Sequence, residues 1–481
     1  MSATAIPEHE VSFFSSLSPA HTARLFEWRG GLYRAIRPEA AELFDGMAQC
    51  GLIDKLVAAK LLVNTERTGL HLDGYSSILR HERIPFVTYP FEWSAAAYKD
   101  AALTFLDLNL QLAEHGLVTR DAHPWNIVFD GARPLFVDFG SFAPLPAIDA
   151  GALVKAFRQW FILPLRLMSM GRHRIARLLL RDSITPASPS EMQFLLAETE
   201  PTVERWLADA KDALRRCLPA PMRKVIRGLM PQARPASDTP GLWRVTLEIL
   251  RREVTNIALA DERSGWSGYY DDDFPRLDDE SSWTAKQASV AEALGRLPVG
   301  TLHDVGCNRG WYAQLAARRG WRVLASDMDE ACLNRAQHDA QTQNLSMTPL
   351  YMDVRDPASG YGWCGTTFPA APQRLKADCV LALAILHHLV FRSMADFSQA
   401  LDGLSCFTRR DLVIEFVSKE DEHVSKWWNP QFGWYTLDGL AEEARRRFRE
   451  VQVMPSHPRG RQLLVCRSLR AACPAEPRLA A

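Results

Sequence analysis

From Thr301 onward, short apolar runs alternate with amphipathic stretches, and this alternation constrains the fold more than any other feature of the chain. Strands are expected at Thr301–Val305, Arg322–Ser326, Met347–Met352, Asp378–Ala384 and Asp411–Val417, with Glu450–Met454 and Gln462–Cys466 closing the series. Helices are expected at Trp311–Arg319, Glu330–Gln343, Met394–Leu404 and Leu437–Phe448. Strands separated by helices of about ten to fifteen residues imply a parallel, doubly wound α/β sheet, because only a helical crossover returns the chain to lay down the next parallel strand.

Such sheets bind ligands beyond the carboxyl ends of their strands, so the residues there are the candidate site. His303-Asp304-Val305-Gly306-Cys307-Asn308-Arg309-Gly310 leaves the first strand and opens a helix. Gly306 and Gly310 let the backbone turn tightly and approach a ligand where a side chain would collide. Asn308 between them also tolerates left-handed angles. The second strand ends in Ser326-Asp327, where a carboxylate can accept both hydroxyls of a ribose. The third ends at Asp353, placed for an adenine amino edge, and the fourth runs into Ala384.

Asp-Val-Gly-Cys-Asn-x-Gly, then Ser-Asp, then Met352-Asp353-Val354 resembles the S-adenosylmethionine (SAM) site of class I methyltransferases over about Trp266 to Arg467. The resemblance implies a Rossmann-like fold and SAM as cofactor. It puts Gly306 and Gly310 beside the methionine part, Asp327 on the ribose and Asp353 or Val354 at the adenine, with Asp304, Asn308 and Ala384 also among the cofactor-binding residues. The family commonly carries Gly where Asn308 stands. A nicotinamide site is disfavoured, since Gly-x-Gly-x-x-Gly spacing is not met.

On the reaction side, His387 and His388 follow the fourth strand. An imidazole there can take a proton from an attacking hydroxyl, or one His can shape a neighbouring loop. Glu415, near the end of the fifth strand, can orient a substrate hydroxyl, partner a His, or form a helix-facing salt bridge. Trp427, Trp428, Phe432, Trp434 and Tyr435 suit either an apolar lid or core packing. No metal-ligand spacing appears.

Upstream, strands are expected at Leu56–Val63, Ile84–Tyr89, Ile127–Phe129 and Leu135–Val137, and a mainly helical stretch from Asp149 to about Ile257. Phe157 to Met170 reads as a core helix. Pro231, Pro235 and Pro240 suggest a hinge, and Asp271–Asp273 and Asp278–Glu280 are short acidic runs. Asp121 and Asn126 precede a hairpin that Asp138-Phe139-Gly140 ends. This resembles the catalytic and metal-binding loops of protein-kinase-like phosphotransferases. There the first Asp positions the acceptor hydroxyl, and the Asn and second Asp bind magnesium. No glycine-rich phosphate loop precedes them, Gly30-Gly31 being insufficient, and Lys60 has no clear glutamate partner. The combination is similar to bacterial two-part methyltransferases with a kinase-like N-terminal half, of the kind associated with nodulation and surface-glycan genes. It implies a degenerate kinase-like α+β domain over 1–150, a helical segment and linker over 151–260, and the methyltransferase over 261–481.

The chain of 481 residues carries 56 Lys and Arg against 57 Asp and Glu, so no overall field gathers nucleic acid or anionic lipid. No secretory leader or membrane span is expected, and nine scattered cysteines without a CxxC pair fit a reducing cytoplasm. The expected function is SAM-dependent O-methylation of a small metabolite or glycan intermediate. Phosphotransfer through Asp121, Asn126 and Asp138, alone or combined with methyl transfer, is one alternative. Nucleic-acid methylation is another, weakened by the balanced charge and by the absence of an Asn-Pro-Pro-Tyr motif.

Overall fold

A computed structural model describes residues 4–14, 22–182, 184–196, 240–260, 264–266, 268 and 274–470. Pro231, Pro235 and Asp271–Asp273 lie outside these residues. Pro240 opens a helix, and Asp278–Glu280 is exposed.

The chain begins with a five-stranded antiparallel sheet. Its strands are β1 (Ser12–Phe13), β2 (Ala23–Trp28), β3 (Gly31–Ile36), β4 (Thr65–Arg67) and β5 (Ser77–His81), in the order β1-β2-β3-β5-β4. Arg29 and Gly30 take left-handed angles (φ 46° and 75°) in the tight β2–β3 turn, which accounts for the Gly30-Gly31 pair. Helices α1 (Ala41–Gln49) and α2 (Leu52–Ala58) bury Phe44, Met47, Leu52, Ile53 and Leu56.

Two expected strands are therefore corrected. Leu56 lies within a helix that runs to Ala58, because Leu52, Ile53 and Leu56 recur at helical spacing and bury one side. Ile84–Tyr89 forms no strand. Pro85 and Pro90 remove ladder donors, and Pro90 starts a short 3-10 turn over Pro90–Glu92.

The long helix α3 (Ala95–Ala113), capped by the Ser94 side chain, runs into β6 (Leu117–Thr119). The loop carrying Asp121 and Asn126 comes next, then the hairpin β7 (Ile127–Asp130) and β8 (Arg133–Phe136), and β9 (Phe142–Pro144) returns against β6. Helices α4 (Ala150–Phe157), α5 (Leu163–Ser169), α6 (His173–Arg181), α7 (Pro189–Leu196) and α8 (Pro240–Asn256) follow. Trp160, Phe161, Leu165 and Met168 make the Phe157–Met170 stretch core, as its apolarity implies.

The last part is introduced by α9 (Ala285–Arg296) and is a seven-stranded sheet. In chain order it comprises β10 (Thr301–Val305), β11 (Arg322–Asp327), β12 (Met347–Tyr351), β13 (Ala377–Ala382), β14 (Thr408–Val417), β15 (Phe448–Pro455) and β16 (Arg461–Leu469). The spatial order is β12-β11-β10-β13-β14-β16-β15, parallel through β14, with β16 alone reversed and antiparallel to both of its neighbours, β14 and β15. Helices α10 (Trp311–Arg318), α11 (Glu330–Thr342), α12 (Leu386–Ser393), α13 (Phe397–Ser405) and α14 (Leu437–Arg447) cover it. Two separate apolar cores lie on its two faces, the arrangement that near-continuous apolar strands require.

The two halves are packed together. Arg374 pairs with Glu92, both almost completely buried, lies 3.8 Å over the Tyr89 ring, and donates to the Val87 carbonyl. The Tyr89 hydroxyl donates to the Pro369 carbonyl at 2.8 Å. Trp125 stacks against Phe368 and Tyr89 (4.6 and 4.8 Å between ring centroids). Gln337 and Gln341 both donate to Asp100, and Thr348 donates to the Gly131 carbonyl.

Candidate functional site

Beyond β10 the backbone makes three left-handed turns in five residues, at Gly306 (φ 73°), Asn308 (φ 53°) and Gly310 (φ 79°). A Cβ on Gly306 would stand 3.1 Å from Ile385 Cδ1, so both conformation and space demand glycine there. Asn308 supplies the middle turn and fastens it. Its amide nitrogen donates to Asp327 at 2.7 Å, its Nδ2 donates to the Trp266 carbonyl at 3.2 Å, and its Oδ1 accepts from Arg309 N at 2.7 Å.

Asp327 ends β11 at the carboxyl edge. Besides Asn308, it accepts from the backbone N–H groups of Met328 (2.7 Å) and Asp329 (3.0 Å). Burial raises its pKa, and these three bonds work in the opposite direction. Asp304 is 2% exposed, and its Oδ2 is buried without a hydrogen-bond partner among the described residues. Burial first, and the charge of Asp327 second, push it up to about 7. A buried oxygen without a donor is costly unless a ligand supplies one, so this cradle fits a cofactor bearing an ammonium group at one end and ribose hydroxyls at the other.

Asp353, two residues past β12, is closed by Arg355, whose Nε, Nη2 and backbone N donate to it at 2.7–2.9 Å. Burial works to raise this carboxyl, yet the Arg355 bonds outweigh it and hold the pKa low. Val354 packs against the core beside it. Ala384, past β13, is left-handed (φ 52°).

His387 and His388 open α12, their rings 4.3 Å apart. His387 is 3% exposed, and its Nδ1 has no partner among the described residues. Burial, then neighbouring His388, pushes it down to about 3. Burial, then Arg392, pushes His388 to about 4. His388 lies between Trp266 and Trp427, at 5.9 and 5.4 Å between centroids.

Residues 303–409 match the methyltransferase domain family. This part of the chain is a SAM-dependent methyltransferase.

The chain is also 28% identical over 366 residues to nodulation protein NoeA of Rhizobium meliloti (strain 1021), covering 73% of this chain and 72% of that one. Among solved structures, magnesium protoporphyrin IX methyltransferase of Synechocystis PCC 6803 with bound SAH is similar at 18% identity and a TM-score of 0.28, over 38% of this chain and 83% of that one. The bifunctional kinase-methyltransferase WbdD is similar at 16% identity and a TM-score of 0.28, over 38% and 37% of the two chains.

In the methyltransferase domain, Glu415 takes the third of the roles open to it, the helix-facing salt bridge. Its side chain is fully buried, takes a salt bridge from Lys286 of α9 (2.7 Å) and accepts from the Ser456 hydroxyl (2.6 Å). Both carboxylate oxygens are thus engaged under the sheet, on the face covered by α9, and among the described residues Glu415 partners no histidine. The carboxylate near the histidines is Asp421, itself fixed by Arg461 at 2.7 and 2.9 Å. Lys286, Ser456, Asp421 and Arg461 had no motif to mark them, since their partners are distant in the chain.

The methyltransferase's aromatic run divides between its two expected roles. Phe432 and Tyr435 are core, with the Tyr435 hydroxyl donating to the Val417 carbonyl. Trp427 is half-buried against the histidine pair, and Arg392 lies 5.0 Å over its ring.

In the N-terminal half, Asn126 Nδ2 donates to Asp121 at 2.9 Å, and Asp138 accepts from Gly140 N at 3.0 Å. Although Asp121 as a residue is exposed, desolvation of its carboxyl, then the charge of Asp138, raises it to about 6. The cation beside Asp138 is Arg34 of β3, at 3.5 Å, and not Lys60. Arg34 is buried and also donates to His81 and to the Val137 carbonyl. No helix among the described residues is long and apolar enough to cross a membrane.

Proposed function

We propose that the methyltransferase methylates a hydroxyl oxygen of a small metabolite or glycan intermediate, with His388 taking the proton. The observation that carries this reading is the placing of a neutral imidazole between two tryptophans at the carboxyl end of β13, beside the cofactor loop. SAM supplies an activated methyl group, so the chain's residues need to hold, align and dehydrate rather than form a covalent intermediate.

Asp304 would receive the ammonium of the methionine part, Gly306, Asn308 and Gly310 let the backbone approach it, Asp327 accepts a ribose hydroxyl, and Asp353, Val354 and Ala384 border the remainder. As the acceptor oxygen bonds to the methyl carbon, its proton passes to the unprotonated His388. His387, more deeply buried, orients its neighbour. Trp427 offers an apolar ring face of the kind that packs against small organic acceptors. The test is product analysis: incubation with isotopically labelled SAM and a small-molecule extract is expected to yield a base-stable O-methyl ether. Label appearing only on nitrogen, sulfur, protein or nucleic acid would refute the assignment.

The N-terminal region (1–150) reads as a degenerate kinase-like domain that supports the methyltransferase or presents its substrate, joined through 151–260 to the methyltransferase over 261–481. Phosphotransfer is the second reading, favoured by the meeting of Asp121, Asn126 and Asp138. Against it stands Arg34, a fixed positive charge beside Asp138 that competes with any metal there. Magnesium-dependent ATP turnover that disappears in Asp138→Ala would promote that reading. A cytoplasmic location fits the free cysteines among the described residues.

A further inference from the structure

Arg177 belongs to α6 in the helical segment, far in sequence from the sheet that holds the SAM site. It is buried, its Nη2 donates to Glu330, and its guanidinium carbon lies over the Tyr351 ring, 3.6 Å from the centroid. Both partners stand next to proposed cofactor contacts. Glu330 is the first residue of α11, three residues past Asp327. Tyr351 is the last residue of β12, paired in parallel register with Asp327 and two residues before Asp353.

Glu330 is also held from the other half. Its Oε1 accepts from Ala95 N at the start of α3 (2.5 Å), and His173 Nδ1 lies 3.7 Å away. A planar guanidinium can do both tasks at once, hydrogen-bonding in its plane while stacking through its face.

We infer that Arg177 is a positioning residue for the adenosine end of SAM, clamping the start of α11 to the end of β12 and so setting the gap between Asp327 and Asp353. The inference rests on the ribose and adenine assignments proposed above. Arg177 touches neither Asp327 nor Asp353. It acts through Glu330 and Tyr351, and it makes the helical segment part of the cofactor pocket's frame.

The experiment is calorimetry on the full chain with two ligands: S-adenosylhomocysteine, and 5′-methylthioadenosine, which keeps the adenosine and lacks the amino acid. Arg177→Met is expected to weaken both by the same factor, roughly 3- to 30-fold, the range for residues that act through a neighbour. Arg177→Lys should recover part of the loss, because it keeps the charge and gives up the planar stack. Asp304→Asn should weaken only the homocysteine-bearing ligand, a selectivity that general loosening of the fold would not produce. Wild-type affinity for both ligands in Arg177→Met, with Asp327→Asn weakening them, overturns the clamp alone. Unchanged affinity in Asp327→Asn as well overturns the ribose assignment and the clamp with it. Should Arg177→Met fail to fold, Tyr351→Leu is read in its place. Equal loss for the two ligands supports the clamp, and unchanged binding overturns it.

Discussion

Asp327 accepts three backbone N–H bonds, and a carboxylate offers about four acceptor positions, so room remains for a ribose hydroxyl. Asp327→Asn removes the charge while keeping the shape. It is expected to weaken SAM binding by about 1.5–3 kcal/mol, the range for hydrogen bonds to charged groups, as read by calorimetry on the full chain. Unchanged affinity in the folded variant would take Asp327 out of the site. His388 gives a prediction in pH. A base works unprotonated, above its pKa, and burial has driven that value to about 4. With SAM saturating, so that the titration of Asp304 near 7 does not enter, turnover should therefore stay level from pH 8 down to about 5.5 and fall only as pH approaches 4, and His388→Gln should lower it by about 100- to 10,000-fold. An inflection near 6.5 that survives in His388→Gln would assign the proton to another group. At this scale the tight turns after β10 were legible, because Gly306, Asn308 and Gly310 each answer a local backbone demand. Arg34, Lys286 and Arg177 were not, because each is defined by a partner across the fold.

At the scale of elements, the parallel strands from Thr301 onward read correctly as apolar runs, since both faces of that sheet are covered. The hairpin β7–β8 was also read, but the strands of the N-terminal five-stranded sheet escaped notice. β2 and β3 mix buried and half-exposed residues without strict alternation, which blurs the period of two. The aromatic run after β14 was legible as aromatic, but its division into core and rim depends on how the loop folds back. Glu415 shows the same limit: its strand was readable, the face on which it lies was not. Its pairing with Lys286 also makes a testable unit. Lys286→Met leaves a fully buried carboxylate with only Ser456, and should cost about 3–5 kcal/mol in urea unfolding, the range for breaking a buried pair. Replacing both residues, as Lys286→Met with Glu415→Leu, should recover most of that loss. A double variant as unstable as the sum of the singles would mean that the two do not act together.

Taken whole, the molecule binds its halves through buried polar contacts as well as apolar ones, and an alternation of strands and helices gives no hint of this. A truncated chain starting at Trp266 strips Arg374 of Glu92, Glu330 of Arg177, and Phe368 of Trp125. It is expected to unfold without a sharp transition and to bind a hydrophobic dye, observable by circular dichroism and fluorescence. A sharply unfolding fragment with full SAM affinity would show that the methyltransferase stands alone. The Arg374–Glu92 contact has a further consequence, for inheritance. Two residues far apart in the chain, each almost sealed from water and each the other's counter-charge, cannot drift separately without stranding a charge. Chimeras that join the front of one relative to the back of another should survive only when both positions come from the same parent, so that recombination moves this gene as one piece.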